Sequence, residues 1–251
     1  MLAPMAHALA AGHRAAGLDL RGHGSSGQPQ NHDYAWPRIG RDVREILDAA
    51  PGPLRVFGHS LGASAVLLAA LERPDAIRSL CLYEPGILGP GDSASVEMMT
   101  QRAEDRRAIF ASRAEIEEHF SSRGLFASFD REALAGYVDG GFRPQPDGTF
   151  ALALPPEGEA AIFRGSTAPG VWDGLDVLPD LDLEITVLYG SASTGPMAEG
   201  TARLAKHDPR VRVFEVAGVG HFGPFEAPVL VGDLVSAILR TSTNRRETDA
   251  R

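Results

Sequence analysis

The stretch Val56-Phe57-Gly58-His59-Ser60-Leu61-Gly62-Ala63 leaves a chain few ways to fold. An apolar run ends at Gly58, a run of small and apolar residues begins at Leu61, and one serine sits at the reversal. Gly-x-Ser-x-Gly in that setting predicts a sharp strand-to-helix turn whose serine is held in a strained backbone conformation. The hydroxyl then stands clear at the carboxyl edge of a sheet, placed to act as a nucleophile. On this reading Gly58 and Gly62 are both required, because a side chain at either would collide across the turn. The backbone N–H of Leu61, at the N-terminus of the new helix, is aimed at a developing oxyanion. The competing reading is a Gly/Ser-rich turn with no chemistry. His59, beside the serine along the strand, is expected to pack rather than to act as a base.

Around this turn, apolar strand-like runs alternate with amphipathic stretches. Strand candidates are residues 13–20 (the weakest), 54–59, 78–84, 184–190 and 211–218. In the segment between the first two, Ile39, Val43, Ile46 and Leu47 recur at helical spacing. Such alternation predicts an α/β fold with a mostly parallel sheet covered on both faces by helices. Residues 89–182 break the pattern. Their first part, 95–122, reads as long, charged and helical, and a Pro-Asp-Gly turn at 146–148 lies in a stretch with a little extended chain. This segment is expected to be a helical cap or lid, and its aromatic residues, from Phe110 to Trp172, form its core or line an acyl pocket. The core is then discontinuous, 1–88 and 183–240, and 241–251 is a flexible tail.

A nucleophilic serine needs a general base, and the base needs an orienting acid. His221 lies in the Gly-flanked loop Gly218-Val219-Gly220-His221-Phe222-Gly223, after the last strand and before the closing helix. The order of serine early and histidine late selects His221 as the base. His23 belongs to a turn, and His7, His13, His32, His119 and His207 read as surface residues.

Composition excludes other classes. A net charge of −9, with no clustered basic run, disfavours nucleic acid and anionic membrane surfaces as partners. No stretch is apolar and long enough to span a bilayer, and the first residues lack a basic signal-peptide region. The expected location is therefore cytoplasmic. The lone Cys81 sits in an apolar run and reads as a buried structural thiol. Nothing in the sequence sets an oligomeric state.

The motifs Asp19-Leu20-Arg21-Gly22-His23-Gly24, Gly58-His59-Ser60-Leu61-Gly62 and Gly218-Val219-Gly220-His221, in that order, resemble the α/β-hydrolase superfamily, in its serine-nucleophile, capped form. The resemblance implies an α/β-hydrolase fold and a Ser-His-acid triad, with no metal or dissociable cofactor. The acid of many members lies in the turn after the strand that follows the cap. Here that turn reads Gly190-Ser191-Ala192-Ser193, with Ser193 where the aspartate is looked for, and Glu199 falls on the next helix. Glu84 ends the strand placed between those of Ser60 and of that turn, and is the acid expected here. Its other reading is a carboxylate binding backbone N–H groups at the mouth of the cap. The superfamily also places three strands and a His-Gly oxyanion motif ahead of the segment that begins this chain. The resemblance therefore implies an N-terminally truncated form, whose given Met1 is not the native start and whose catalysis would be weak as it stands.

The function expected is hydrolysis of a small acyl compound (an ester, a thioester, a lactone or an activated C–C bond) through an acyl-enzyme. Two alternatives remain: a non-catalytic or weakly active ligand-binding homologue, and a cofactor-free haloperoxidase-like enzyme that reuses the same residues.

Overall fold

The computed structural model describes residues 1–241 apart from 11, 13 and 169. The chain opens with α1 (Ala3–Ala10), followed by α2 (Trp36–Ala49), β1 (Leu54–His59), α3 (Leu61–Glu72) and β2 (Ile77–Tyr83). A long insertion follows: α4 (Ser93–Glu104), β3 (Ile109–Phe110), α5 (Arg113–Ser121), α6 (Arg131–Gly141), β4 (Phe142–Pro144), β5 (Phe150–Leu152), α7 (Pro156–Gly165) and α8 (Val171–Gly174). The core resumes with β6 (Ile185–Gly190), α9 (Pro196–His207), β7 (Arg212–Val216), α10 (Gly223–Glu226) and α11 (Pro228–Thr241). The expected tail beyond residue 241 lies outside the described residues. No helix among the described residues is long and apolar enough to cross a membrane.

The core sheet runs β1-β2-β6-β7 and every pair in it is parallel. β2 and β6 take the centre because they are the two nearly continuous apolar runs, buried on both faces. Alternation along β2 divides the core in two. Leu80 and Leu82 face α2 and α3, where they pack with Ile39, Val43 and Leu67. Cys81 and Tyr83 face the other way, against Met5 of α1 and Val231 and Val235 of α11. Helices therefore cover both faces. Each fully buried aliphatic side chain in these layers contributes about 1.5–3 kcal/mol relative to exposure.

Two expectations about local structure are corrected. Residues 14–20 do not form a strand. They have no ladder partner among the described residues and stay exposed as far as Asp19, because a strand exists only where another pairs with it. The segment is anchored beyond its end instead: Arg21 Nε donates to Asp42 at 2.7 Å, and Ser25 N to Asp19 at 2.9 Å. Nor is 95–122 one helix. It breaks after α4, passes through β3, and restarts at Ser112, whose Oγ caps α5 by accepting from Glu115 N. The free energy favouring the break is visible in Phe110, which is fully buried with Phe120 and Phe142 once it leaves the helix.

β3, β5 and β4 form a small antiparallel sheet, its hairpin closed at Gly148 with φ 86°. The insertion touches the core on two sides. Trp36 Nε1 donates to Ile162 O at 2.9 Å, and Asp130 N to Phe225 O at 2.8 Å.

Candidate active site

Three strand ends meet at one place. Ser60 directly follows β1, Glu84 directly follows β2, the turn 190–193 closes β6, and the loop after β7 carries His221. Parallel pairing fixes this meeting, since His59 is in register with Tyr83 and Tyr83 with Leu188.

Ser60 has φ 52° and ψ −121°, a conformation that costs a non-glycine residue on the order of 1–3 kcal/mol. It is held there by Ser60 N donating to Tyr83 O at 3.0 Å and by the first turn of α3 closing on Ser60 O. Gly58 is required as expected: a β-carbon there would lie 2.6 Å from Ala63 Cα and 2.8 Å from Ala63 N. The expectation for Gly62 is wrong. A β-carbon at Gly62 meets nothing within 4 Å beyond its own helical turn, so no collision requires glycine there. The two glycines thus predict opposite outcomes. Gly58→Ala should fail to give a cooperative thermal transition, whereas Gly62→Ala should keep the wild-type melting temperature or raise it by a few degrees, since alanine adds about 0.5–1 kcal/mol of helix propensity.

His221 joins the other two groups. Ser60 Oγ lies 3.0 Å from His221 Nε2, and His221 Nδ1 lies 2.8 Å from Glu84 Oε2. Glu84 is fully buried and has φ 42°. Burial acts to raise its pKa, but hydrogen bonds from His221, Ser193 and the Gly190 amide outweigh it and hold the carboxyl below its ordinary value. Glu84 is therefore ionised at neutral pH and can only accept, so His221 carries its proton on Nδ1. The ring's Nε2 is then the acceptor for Ser60 O–H.

The loop of His221 is fixed by its backbone. Tyr83 O–H donates to Gly220 O at 2.7 Å, His59 Nε2–H to His221 O at 2.8 Å, and Gly220 N to Glu226 Oε2 at 2.8 Å. A β-carbon at Gly190 would overlap the carbonyl oxygens of Val219 and Gly220, so glycine is needed for β6 to approach this loop. Leu61 opens α3, and its amide has no carbonyl one turn earlier in the helix to bond to. The two clefts described, of about 540 Å³ beside Leu18–Arg21 and about 610 Å³ beside Pro4 and Val229, are not lined by Ser60, Glu84 or His221.

The sequence of this chain matches the model of the Alpha/beta hydrolase family over residues 1–234. The chain belongs to that family. Within it, this α/β-hydrolase is 25% identical over 214 residues to 2-(acetamidomethylene)succinate hydrolase of Mesorhizobium japonicum, covering 82% of this chain and 70% of that protein. A crystal structure of E-2-(acetamidomethylene)succinate hydrolase superposes with a TM-score of 0.75 at 21% identity, covering 89% of this chain and 80% of that one. An esterase from Mycobacterium tuberculosis superposes at 0.67 with 23% identity, covering 89% and 74%. At these identities the superpositions establish the fold.

Sequence reading brought Ser60, His221 and Glu84 to this α/β-hydrolase's site, and the fold brings the three together. Glu199 stays on the face of α9, bonded to Arg203. Sequence reading missed the part of Ser193. Read there as a vacancy, it donates a hydrogen bond to Glu84 Oε1, beside the 2.8 Å bond from Gly190 N. The signal available was a hydroxyl at the position where the resemblance places a carboxylate.

His59 adds a pH dependence. Its half-buried ring packs against Tyr83, His221, Phe222 and Phe225. Burial, and the nearby His221, lower its pKa from 6.5 to about 3. Because the folded value lies below the unfolded one, His59 contributes its full stability above pH 6.5. That contribution drains away as the pH falls toward 3, by at most about 1.4 kcal/mol per pH unit. The wild-type urea midpoint is expected to fall between pH 7 and pH 4.5, and to fall less in His59→Gln.

Proposed function

We propose that this protein is a serine hydrolase of a small acyl compound, with Ser60 as nucleophile, His221 as general base and acid, and Glu84 as the orienting acid. The observation that carries this reading is the unbroken relay from Ser60 Oγ through His221 to the buried Glu84, at 3.0 and 2.8 Å. Membership of the alpha/beta hydrolase family supports a hydrolytic reaction. The classes that fit are esters, thioesters, lactones and activated C–C bonds.

Ser60 Oγ attacks the substrate carbonyl while its proton passes to His221 Nε2. Glu84 stabilises the imidazolium and keeps its ring aimed. The tetrahedral oxyanion accepts a hydrogen bond from Leu61 N–H, supported by the N-terminus of α3. His221 returns the proton to the leaving group as the intermediate collapses to an ester on Ser60. Water, deprotonated by the same nitrogen, then releases the acid and restores Ser60. The insertion acts as a cap that shapes the acyl site, since it is tied to the core at α2 and α10 on either side.

Rapid mixing with p-nitrophenyl acetate tests the reading. An initial burst approaching one nitrophenolate per chain, followed by a slower steady state, is the expected signature of an acyl-enzyme. Folded protein that releases nitrophenolate no faster than buffer would overturn the reading.

A further inference from the structure

The buried Glu84 has two oxygens with different duties. Oε2 faces His221 Nδ1, and Oε1 is held by two donors from the turn after β6, the amide of Gly190 and the hydroxyl of Ser193. A carboxylate at the end of a strand can turn about its last bond. With Oε1 pinned by two donors, that rotation is closed and Oε2 has one direction left. The same turn is also tied to the loop that carries the histidine. Ala192 N donates to Val219 O at 3.0 Å, Ser191 N to Val216 O at 3.0 Å, and Gly218 N to Ser191 Oγ at 2.9 Å. One short turn therefore holds the acid from one side and the base's loop from the other.

We propose that Ser193 is a positioning residue of this site: its hydroxyl locks the Glu84 carboxylate in the orientation that presents Oε2 to His221, and it acts on the reaction only through Glu84. The proposal rests on the reading of Ser60, His221 and Glu84 as the proton-handling unit. Ser193 touches neither the nucleophile nor the base. Without it Oε1 keeps the Gly190 amide but loses a charge-assisted bond, and the carboxylate gains freedom to swing off the imidazole.

The test measures p-nitrophenyl acetate hydrolysis and the rate of labelling by a fluorophosphonate. Ser193→Ala should lower kcat roughly 10- to 100-fold, the scale of one hydrogen bond to a buried charged group, and leave KM unchanged. Ser193→Thr, which keeps a hydroxyl on the same carbon, should restore most of kcat. Ser193→Cys, with the shape of serine and a weak donor, should fall between, and it carries the test if the alanine variant does not fold. In a Glu84→Gln background, adding Ser193→Ala should slow labelling no further, because the group it acts through is already gone. Equal losses in the two backgrounds would overturn the proposal. So would a rise in KM at constant kcat, or a threonine variant as slow as alanine. A Ser60→Ala control separates the two levels. If that variant is dead and the Ser193 losses are additive, only the positioning role fails. If it turns over normally, the reading of the whole site fails and the proposal with it.

Discussion

Ser60→Ala is expected to lower turnover of p-nitrophenyl acetate by about 10⁴–10⁶-fold, the range seen when a serine hydrolase loses one member of its nucleophilic unit. The substitution removes one oxygen and leaves everything that holds the turn in place. Gly58 still clears Ala63, and the backbone bonds from Ser60 N to Tyr83 O and from Ser64 N to Ser60 O do not involve the lost hydroxyl. One destabilising term is relevant. Alanine at φ 52° is no better suited to that conformation than serine, so the strain stays and the melting temperature should change by only a few degrees. A large loss of activity at near-native stability is the distinguishing result. Parallel urea melts and steady-state kinetics check it.

The second large effect is expected at Glu84. Glu84→Gln should reduce kcat by about 10⁴-fold, the size of loss that accompanies a wrong histidine tautomer when an orienting carboxylate becomes an amide. Glutamine fits the same buried space. Its amide has one acceptor to share among Gly190 N–H, Ser193 O–H and His221 Nδ1–H, where the carboxylate has two oxygens. An amide N–H turned toward the ring then forces the imidazole proton onto Nε2, which cannot accept from Ser60. The matching control is Glu199→Gln. Glu199 is 60% exposed and paired with Arg203 on α9, and its loss should leave kcat unchanged. If Glu199→Gln were the inactive variant and Glu84→Gln the active one, the acid would sit on α9 and not after β2.

What the sequence disclosed follows from the range over which each feature is determined. Ser60 and its turn are encoded within a dozen residues: an apolar strand, two glycines and a small-residue helix. His221 stands out because glycines flank it after the last strand. Glu84 became legible through an argument of strand order, which β1-β2-β6 obeys. The features that escaped depend on distances between segments far apart in sequence. Nothing in the pattern distinguishes Gly58, where a β-carbon would overlap Ala63, from Gly62, where one would meet nothing within 4 Å. Residues 14–20 have the apolar rhythm of a strand, but pairing is a property of two segments and this one has no partner among the described residues. The hydroxyl of Ser193 reaches an acid 109 positions away, so sequence alone shows only that an expected carboxylate is missing.

The central claim is that Ser60 is an activated nucleophile in a working relay with His221 and Glu84. Intact mass and peptide mapping of the folded chain after exposure to a fluorophosphonate test it most directly. One adduct per chain is expected on the peptide holding Ser60, absent in Ser60→Ala and strongly slowed in His221→Ala and Glu84→Gln. A folded protein that stays unlabelled, or that labels at Ser60 equally fast without His221 and Glu84, would contradict it.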